Sequence, residues 1–392
     1  FFLCDQRTAS QNQMAVVLGI SSGPHDSGAC LLRGGALLCA VNEERMTRKK
    51  MDGRFPIASI TFCLESEGLR AEDVDVVAHG WAFGTDGATV AQVASRVAEV
   101  EGLAVVSLME QLAACNEVDA DVSRRVKKGL SALGIPPAKL RSFDHHLCHA
   151  AAALYFSPFC LSDAPSSPPI CVTLDGRGDF MSGKVVEFTR GEDPELRVLD
   201  ATTMFDSLGF LWAFVTALLG FKPFRHEGKV LGLSASGSAE QTLPIFRKTM
   251  CLSEVEGRWR VRTSWGQRGQ SFQLYLTGLE ARNQGVTPDS FDLGQELKTF
   301  ARQDVAAGLQ AFSEWLVTEY LTRNGFVREH LCLAGGVFAN VRINMRVRSL
   351  PGVRQAFVYP NMGDGGLCVG AAALAAREFD LRITAPRGIV FL

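Results

Sequence analysis

The chain has no apolar run long enough to cross a bilayer. The longest, "LGFLWAFVTALLGF" (residues 208–221), ends well short of the ~20 residues that a spanning helix needs. Nor does either sign of charge dominate: Lys and Arg number 40 against 42 Asp and Glu, a formal net charge of -2. No block of like charge makes a tail, and no basic surface points to nucleic acid. The densest basic run, "RMTRKK" (residues 45–50), is accounted for by a solvated surface turn. Eleven cysteines are present without a single C-x-x-C pair. Their number is odd, and Cys30, Cys39, Cys171 and Cys332 sit inside apolar runs. They read as small buried hydrophobes of a reducing compartment rather than a disulfide framework. "FFLCDQRTASQNQ" (residues 1–13) lacks an initiator Met and a basic stretch before its apolar residues, so it makes a poor signal peptide. Residues 1–13 read as an extension foreign to the fold, Met14 opens the first strand, and a cytoplasmic location is expected, with neither membrane nor nucleic acid as partner.

What is there is apolar mass. At 392 residues and 47% hydrophobic, the chain can fill one large or two moderate domains. Residues 15–41, "AVVLGISSGPHDSGACLLRGGALLCAV", read as strand, Gly/Ser/Asp loop, strand, turn at "RGG", strand. Residues 170–199, "ICVTLDGRGDFMSGKVVEFTRGEDPELRVL", repeat that order of elements without close identity, as a divergent internal duplication does. Hairpins with glycines and a carboxylate at the bend can bring backbone amides to phosphate oxygens and hold a metal or a water. Two of them facing each other form the phosphate clamp of the actin, Hsp70 and sugar-kinase group. The expected fold is therefore α/β, two duplicated ribonuclease-H-like lobes around a nucleotide cleft, with residues 14–167 in the first lobe and 168–392 in the second.

Further segments fit that plan. "LCLAGGVFANVRINMRVRS" (residues 331–349) reads as a buried strand ending at Gly335 and Gly336 before a helix. A nucleotide could pack there on bare backbone near helix-start amides. Asn340 and Asn344 lie one turn apart, placed either to contact a ribose or base or to cap and bridge. Residues 292–326 read as one long amphipathic helix or two abutting ones, ending at Asn324-Gly325. Residues 93–140 read as helical, "SDAPSSPP" (residues 162–169) as the loop joining the lobes, and 240–290 as a variable insertion.

Histidine is also scarce, seven in all, yet His145, His146 and His149 crowd into "SFDHHLCHAAAALYF" (residues 142–156). Asp144 is placed to cap a helix through the alanines. On that helix His145 and His149 are i and i+4, on one face, with His146 roughly 100° around. Such a pair suits a transition metal; capping backbone and packing on Tyr155 is the alternative. Cys148 beside them is placed for chemistry or for plain core. Asp364, in the glycine-rich bend of "YPNMGDGGLCVGAAALAA" (residues 359–376), is a candidate third ligand from the second lobe, or the N-cap of the final helix.

Taken in order, the motifs "LGISSGPHDSGACLL", "VNEERMTRKKMDGRFP", "DHHLCHAAAALYFSPF", "VTLDGRGD", "SLGFLWAFVTALLGF", "HEGKVLGLSASG", "LCLAGGVFANVRIN" and "YPNMGDGGLCVGAA" closely resemble the O-carbamoyltransferases of the nodulation-factor and antibiotic-tailoring type. The resemblance runs from about residue 15 to about residue 377. Their catalytic domain is similar to that of the threonylcarbamoyl-adenosine tRNA enzymes. It implies a domain that binds carbamoyl adenylate, made from carbamoyl phosphate and ATP, and passes the carbamoyl group to a hydroxyl of a small-molecule acceptor while AMP leaves. It implies His145, His149 and Asp364 as ligands of a divalent metal, usually iron, and Gly335, Gly336, Asn340 and Asn344 as the adenosine-binding segment. His25 and Asp26 match the "HD" of the first hairpin, His25 as the base for the acceptor hydroxyl. Lys229 is the candidate cation, Glu227 orients it or the acceptor, and Asp175 and Gly176 should line the phosphate side.

Departures from the family pattern are Met51 in place of a polar histidine, "GLSASG" for the common "GLAPYG", and Asp179 in place of Glu. Family members continue into a YrdC-like domain that makes the adenylate, for which a chain that stops at "PRGIVFL" is expected to have no room. The intermediate is then expected from a separate YrdC-like protein, unless the chain is a fragment. Three readings compete: a threonylcarbamoyl-transfer protein acting on tRNA, which typically carries "H-x-E-G-H" in place of "HHLCH"; a non-catalytic nucleotide-binding remnant; and a kinase, whose chemistry does not call for a histidine cluster.

Overall fold

The computed structural model describes residues 15–82, 87–161, 167–189, 195–265, 271–273, 275–276 and 287–384. The expected extension 1–13, Met14, most of the Ser/Pro-rich loop, part of the 240–290 insertion and "PRGIVFL" lie outside the described residues.

The first unit comprises Phe1–Ala82, Asp121–Ala164 and Tyr359–Leu392. Its sheet has β1 (Val16–Ser21), β2 (Gly28–Arg33), β3 (Ala36–Asn42), β4 (Val76–His79) and β5 (Leu140–Ser142) in the order β3-β2-β1-β4-β5. The first three strands form an antiparallel meander; β4 joins β1 in parallel and β5 joins β4 in parallel. Every residue of β1 is buried, which is why it reads as a continuous apolar run rather than an alternating one. Gly34 and Gly35, at φ 56° and 82°, make the tight β2–β3 turn that "RGG" predicts, left-handed at both central residues.

The second unit comprises Phe83–Ala120 and Pro165–Val358. It contains β6 (Ile170–Gly178), β7 (Met181–Thr189) and β8 (Glu195–Thr203), a separate hairpin of β9 (Met250–Val255) and β10 (Arg258–Thr263), then β11 (His330–Ala334) and β12 (Gln355–Val358). Its five-stranded sheet runs β12-β11-β6-β7-β8. Again a meander of three antiparallel strands is extended beside its first member by two parallel ones. The same ribonuclease-H-like order thus occurs twice, so the expected duplication holds at the level of topology. The β6–β7 turn is Asp179-Phe180, at φ 52° and 63°. Aspartate tolerates that conformation; phenylalanine is strained by it.

The division of the chain differs from a single boundary at 167/168. Residues 83–120 go with the second unit because their partners are there: Gln92 donates to the Ala201 carbonyl at 2.7 Å, and Arg96 makes paired bonds to Asp206 at 2.8 and 3.1 Å. Residues from Tyr359 go with the first, because the helix Leu367–Glu378 packs on β1 and on the helix His145–Tyr155.

The helical expectations hold. Residues 93–140 contain the second half of helix Gly87–Ala98 and all of helix Leu103–Ala132, and 292–326 forms two helices, Asp292–Leu297 and Arg302–Arg323. The second ends in a Schellman cap: Gly325 at φ 65° donates to the Thr322 carbonyl at 3.2 Å, and Phe326 to Leu321 at 2.9 Å. No described cysteine forms a disulfide, and no described helix is long and apolar enough to cross a membrane.

Candidate metal centre and neighbouring groups

In the first unit, β5 ends at Ser142 and Asp144 caps the next helix, its Oδ1 accepting from Leu147 N at 2.7 Å. The cap fixes where the helix begins, and so which face carries His145 and His149. Four successive alanines, Ala150–Ala153, are all buried, and they let another helix come close. That helix is Leu367–Glu378, itself rich in alanine. At Gly370 a Cβ would run into the Cys148 carbonyl, so only glycine permits the approach. The approach also carries the turn Asp364–Gly366, which leads into that helix, up to the histidines.

The result is a compact donor set. Nε2 of His145 and Nε2 of His149 stand 3.2 Å apart, and Asp364 Oδ1 lies 3.6 and 3.5 Å from them. All three side chains are buried. Two nitrogens each ~2.0–2.1 Å from one ion are about 3 Å apart at tetrahedral or octahedral angles. The spacing and the mix of two imidazoles with one carboxylate therefore fit a divalent transition metal. The capping alternative for Asp364 is not realised: the N-cap of Leu367–Glu378 is Gly366, without a side-chain cap. The expectation that Asp364 comes from a second lobe is corrected, since all three groups belong to the first unit. His146 is buried beside the pair, its ring 5.2 Å from that of His145.

His25 and Asp26 join this group. His25 Nδ1 lies 3.2 Å from Asp26 Oδ2 and 4.0 Å from Asp364 Oδ2. Its side chain is 33% exposed, open enough to meet a substrate. The β1–β2 loop that carries it is tied from behind. Ser27 N donates to the Asp52 carbonyl at 2.8 Å, and Arg125 donates to the carbonyls of Gly53 at 2.9 Å and Gly23 at 3.3 Å. Asp52 is held by Arg54 and Thr47, and the Arg54 guanidinium keeps its carboxyl well below the usual carboxylate range. Met51, the departure from the family pattern, sits at φ 55° and donates its backbone N–H to Glu44 Oε2 at 2.7 Å.

Sequence reasoning missed three contributors. His79, at the end of β4, lies 3.2 Å through Nε2 from the Ser22 carbonyl, and burial holds its pKa down at about 4. The Trp81 ring meets His145 edge-on at 4.8 Å. Arg125 ties the hairpin. The signal for the first two was a histidine and a tryptophan closing an apolar strand in "VVAHGW"; for Arg125 a helical arginine offers none.

In the second unit, Asp175 and Gly176 sit near the end of β6. Asp175 Oδ1 accepts from Gly176 N at 2.7 Å and Oδ2 from Gly336 N at 3.3 Å, while Ser207 Oγ donates to the Asp175 carbonyl at 3.0 Å. Gly335 takes φ 92°, and a Cβ there would collide with the Leu174 carbonyl. The double glycine is thus brought against the Asp175 hairpin, and the close approach it allows is to the chain's own backbone at Leu174. Asn340 takes the capping alternative. Its Oδ1 accepts from Arg342 N at 3.1 Å and Ile343 N at 3.2 Å, and its Nδ2 donates to Gln310 Oε1 at 2.8 Å. Asn344 bridges to the same turn, Nδ2 donating to the Phe338 carbonyl at 2.7 Å. Glu227 accepts from Phe224 N at 2.6 Å, and the exposed Lys229 has Nζ 3.3 Å from His226 Nε2.

The model of the family described as carbamoyltransferase N-terminus matches residues 16–373. The chain belongs to this family. All of the residues just described fall inside the matched span. Among curated proteins similar to this carbamoyltransferase domain, nodulation protein NolNO of Sinorhizobium fredii is 29% identical over 369 residues, covering 93% of this chain and 48% of its own length. An uncharacterised protein of Synechocystis is 28% identical over 371 residues, covering 92% and 56%. The chain thus spans about half the length of these curated relatives. Among solved structures, component A of the Acidaminococcus fermentans (R)-2-hydroxyglutaryl-CoA dehydratase covers 93% of this chain and 99% of its own at 15% identity, with a TM-score of 0.46.

Proposed function

We propose that this carbamoyltransferase domain transfers the carbamoyl group of carbamoyl adenylate to a hydroxyl of a small-molecule acceptor, with release of AMP. The observation that carries the reading is the buried set of His145, His149 and Asp364 with His25 Nδ1 4.0 Å from Asp364 Oδ2. His145, His149 and Asp364 would hold the metal. When bound, a divalent cation such as iron supplies Lewis-acid polarisation and offsets negative charge developing on the carbamoyl oxygen.

The chain's own residues do the rest. With the Nδ1–H of His25 donated to Asp26, the basic lone pair is on Nε2, the tautomer a general base needs. His25 takes the acceptor's proton as its oxygen bonds to the carbamoyl carbon; the bond from that carbon to the adenylate phosphate oxygen breaks, and AMP departs. Arg125 and the Asp52 carbonyl keep the hairpin in place, so that His25 need not reorganise during the reaction. The second unit's Gly335-Gly336 turn and Asp175-Gly176 hairpin are the proposed seat of the nucleotide, and Lys229 the proposed cation for the leaving phosphate. The adenylate is supplied by a YrdC-like activating protein or domain.

The test is AMP release from the purified chain, metal-loaded, given synthetic carbamoyl adenylate or carbamoyl phosphate plus ATP, with simple sugars and amino sugars as acceptors. Acceptor-dependent AMP from the preformed adenylate, lost in His25→Ala with metal content intact, is expected. No AMP above the buffer rate from the metal-loaded wild type with any acceptor would overturn the reading in favour of a non-catalytic nucleotide binder.

A further inference from the structure

Away from the metal centre, the first unit places cysteines on facing elements. Cys39 lies on β3 and Cys63 on the helix Ile57–Ser66 that packs over β2 and β3. Cys39 Sγ is 4.0 Å from the Cys63 carbonyl and 3.9 Å from Ser66 Oγ, which places it against the last turn of that helix. Cys63 Sγ in turn lies 3.8 Å from the Ala29 carbonyl on β2. Cys39 is partly exposed, whereas Cys63, Cys30 and Cys368 are buried. An oxidant from solvent therefore meets Cys39 before those three.

We propose that Cys39 and Cys63 are a peroxide-responsive thiol pair, with Cys39 the attacking thiol and Cys63 the resolving one. The Cys39 thiolate attacks one oxygen of hydrogen peroxide, the O–O bond breaks, and the sulfur becomes a sulfenic acid while the other oxygen leaves as water after taking a proton. The Cys63 sulfur then attacks the Cys39 sulfur; the S–O bond breaks, a second water leaves with the Cys63 proton, and a disulfide joins β3 to the helix. In sum, two thiols and one peroxide give one disulfide and two waters. The electrostatics agree: the Cys63 S–H beside it holds the Cys39 thiol below the ordinary thiol range, with the Ser66 hydroxyl acting the same way. The bridge would close a loop over residues 40–62. That loop includes Asp52 and Gly53, whose carbonyls tether the His25 hairpin.

The experiment treats the folded full chain with hydrogen peroxide and maps its peptides without reduction. A Cys39–Cys63 cross-link is expected, about 2 Da lighter than the two free thiols and reversed by dithiothreitol. Cys63→Ser should leave Cys39 as a sulfenic acid that a 1,3-dione traps several-fold more than in the wild type, and Cys39→Ser should abolish the cross-link. A wild-type map in which Cys39 stays reduced while another cysteine oxidises, or joins a partner other than Cys63, would overturn the proposal. The wild-type map decides the matter even if a variant fails to fold.

Discussion

Residues i and i+4 on a helix share a face, and at His145 and His149 this brings two nitrogens within 3.2 Å of each other. Asp364 completes the set from far along the chain. Replacing either histidine by alanine leaves two donors, so bound metal in purified His145→Ala or His149→Ala should fall by more than about tenfold, measured by plasma emission spectroscopy. Wild-type metal content in both variants would remove these residues as ligands. The pair and the carboxylate could be read from the chain as candidates because metal ligands form a short list of residue types. The supporting groups could not. Arg125 acts through two backbone carbonyls, and nothing in a helical arginine announces which carbonyls it will meet.

Helices and hairpins carry the site through small features. The Asp144 cap is one: Asp144→Ala should cost about 1 kcal/mol and lower the melting temperature by about 2–4 °C, read by calorimetry. The close packing of the two alanine-rich helices is another. Gly370→Val forces a side chain into the Cys148 carbonyl and should cost roughly 1–3 kcal/mol or more, seen as a lower denaturation midpoint. Metal retention should weaken with it, because the Asp364 turn rides on that helix. Caps and turns are local, so "RGG" and Asp144 were predictable from neighbours in the chain. Asn340 shows the limit: capping and ligand binding want the same residue type at a helix start, and only the bonds to Arg342, Ile343 and Gln310 separate them.

At the scale of the molecule, the chain builds one sheet order twice, but its two units interleave in sequence. Burial also leaves a whole-molecule signature in pH. His79 is wholly enclosed, which disfavours its charged form, and the Arg125 guanidinium acts the same way, so its pKa is lowered from 6.5 to about 4. Between those values the unfolded chain binds a proton that the native state refuses, so stability is present above about pH 6.5 and drains away as pH falls toward 4. The full difference is about 3 kcal/mol. Urea unfolding of the wild type and His79→Asn across this window should show a shallower decline in the variant. Parallel curves would mean that His79 does not carry the effect.

Local chemistry by itself determined the duplicated strand–loop–strand pattern, the Asp144 cap, the double glycine and the short list of metal-binding side chains, since each depends on neighbours a few residues apart. Only the tertiary structure decided that Asp364 shares a unit with His145 and His149, that Asn340 is a cap, and that Cys39 faces Cys63. Those outcomes rest on contacts between segments distant in the chain, where one methyl group too many at Gly370 would keep the helices apart and the donors with them.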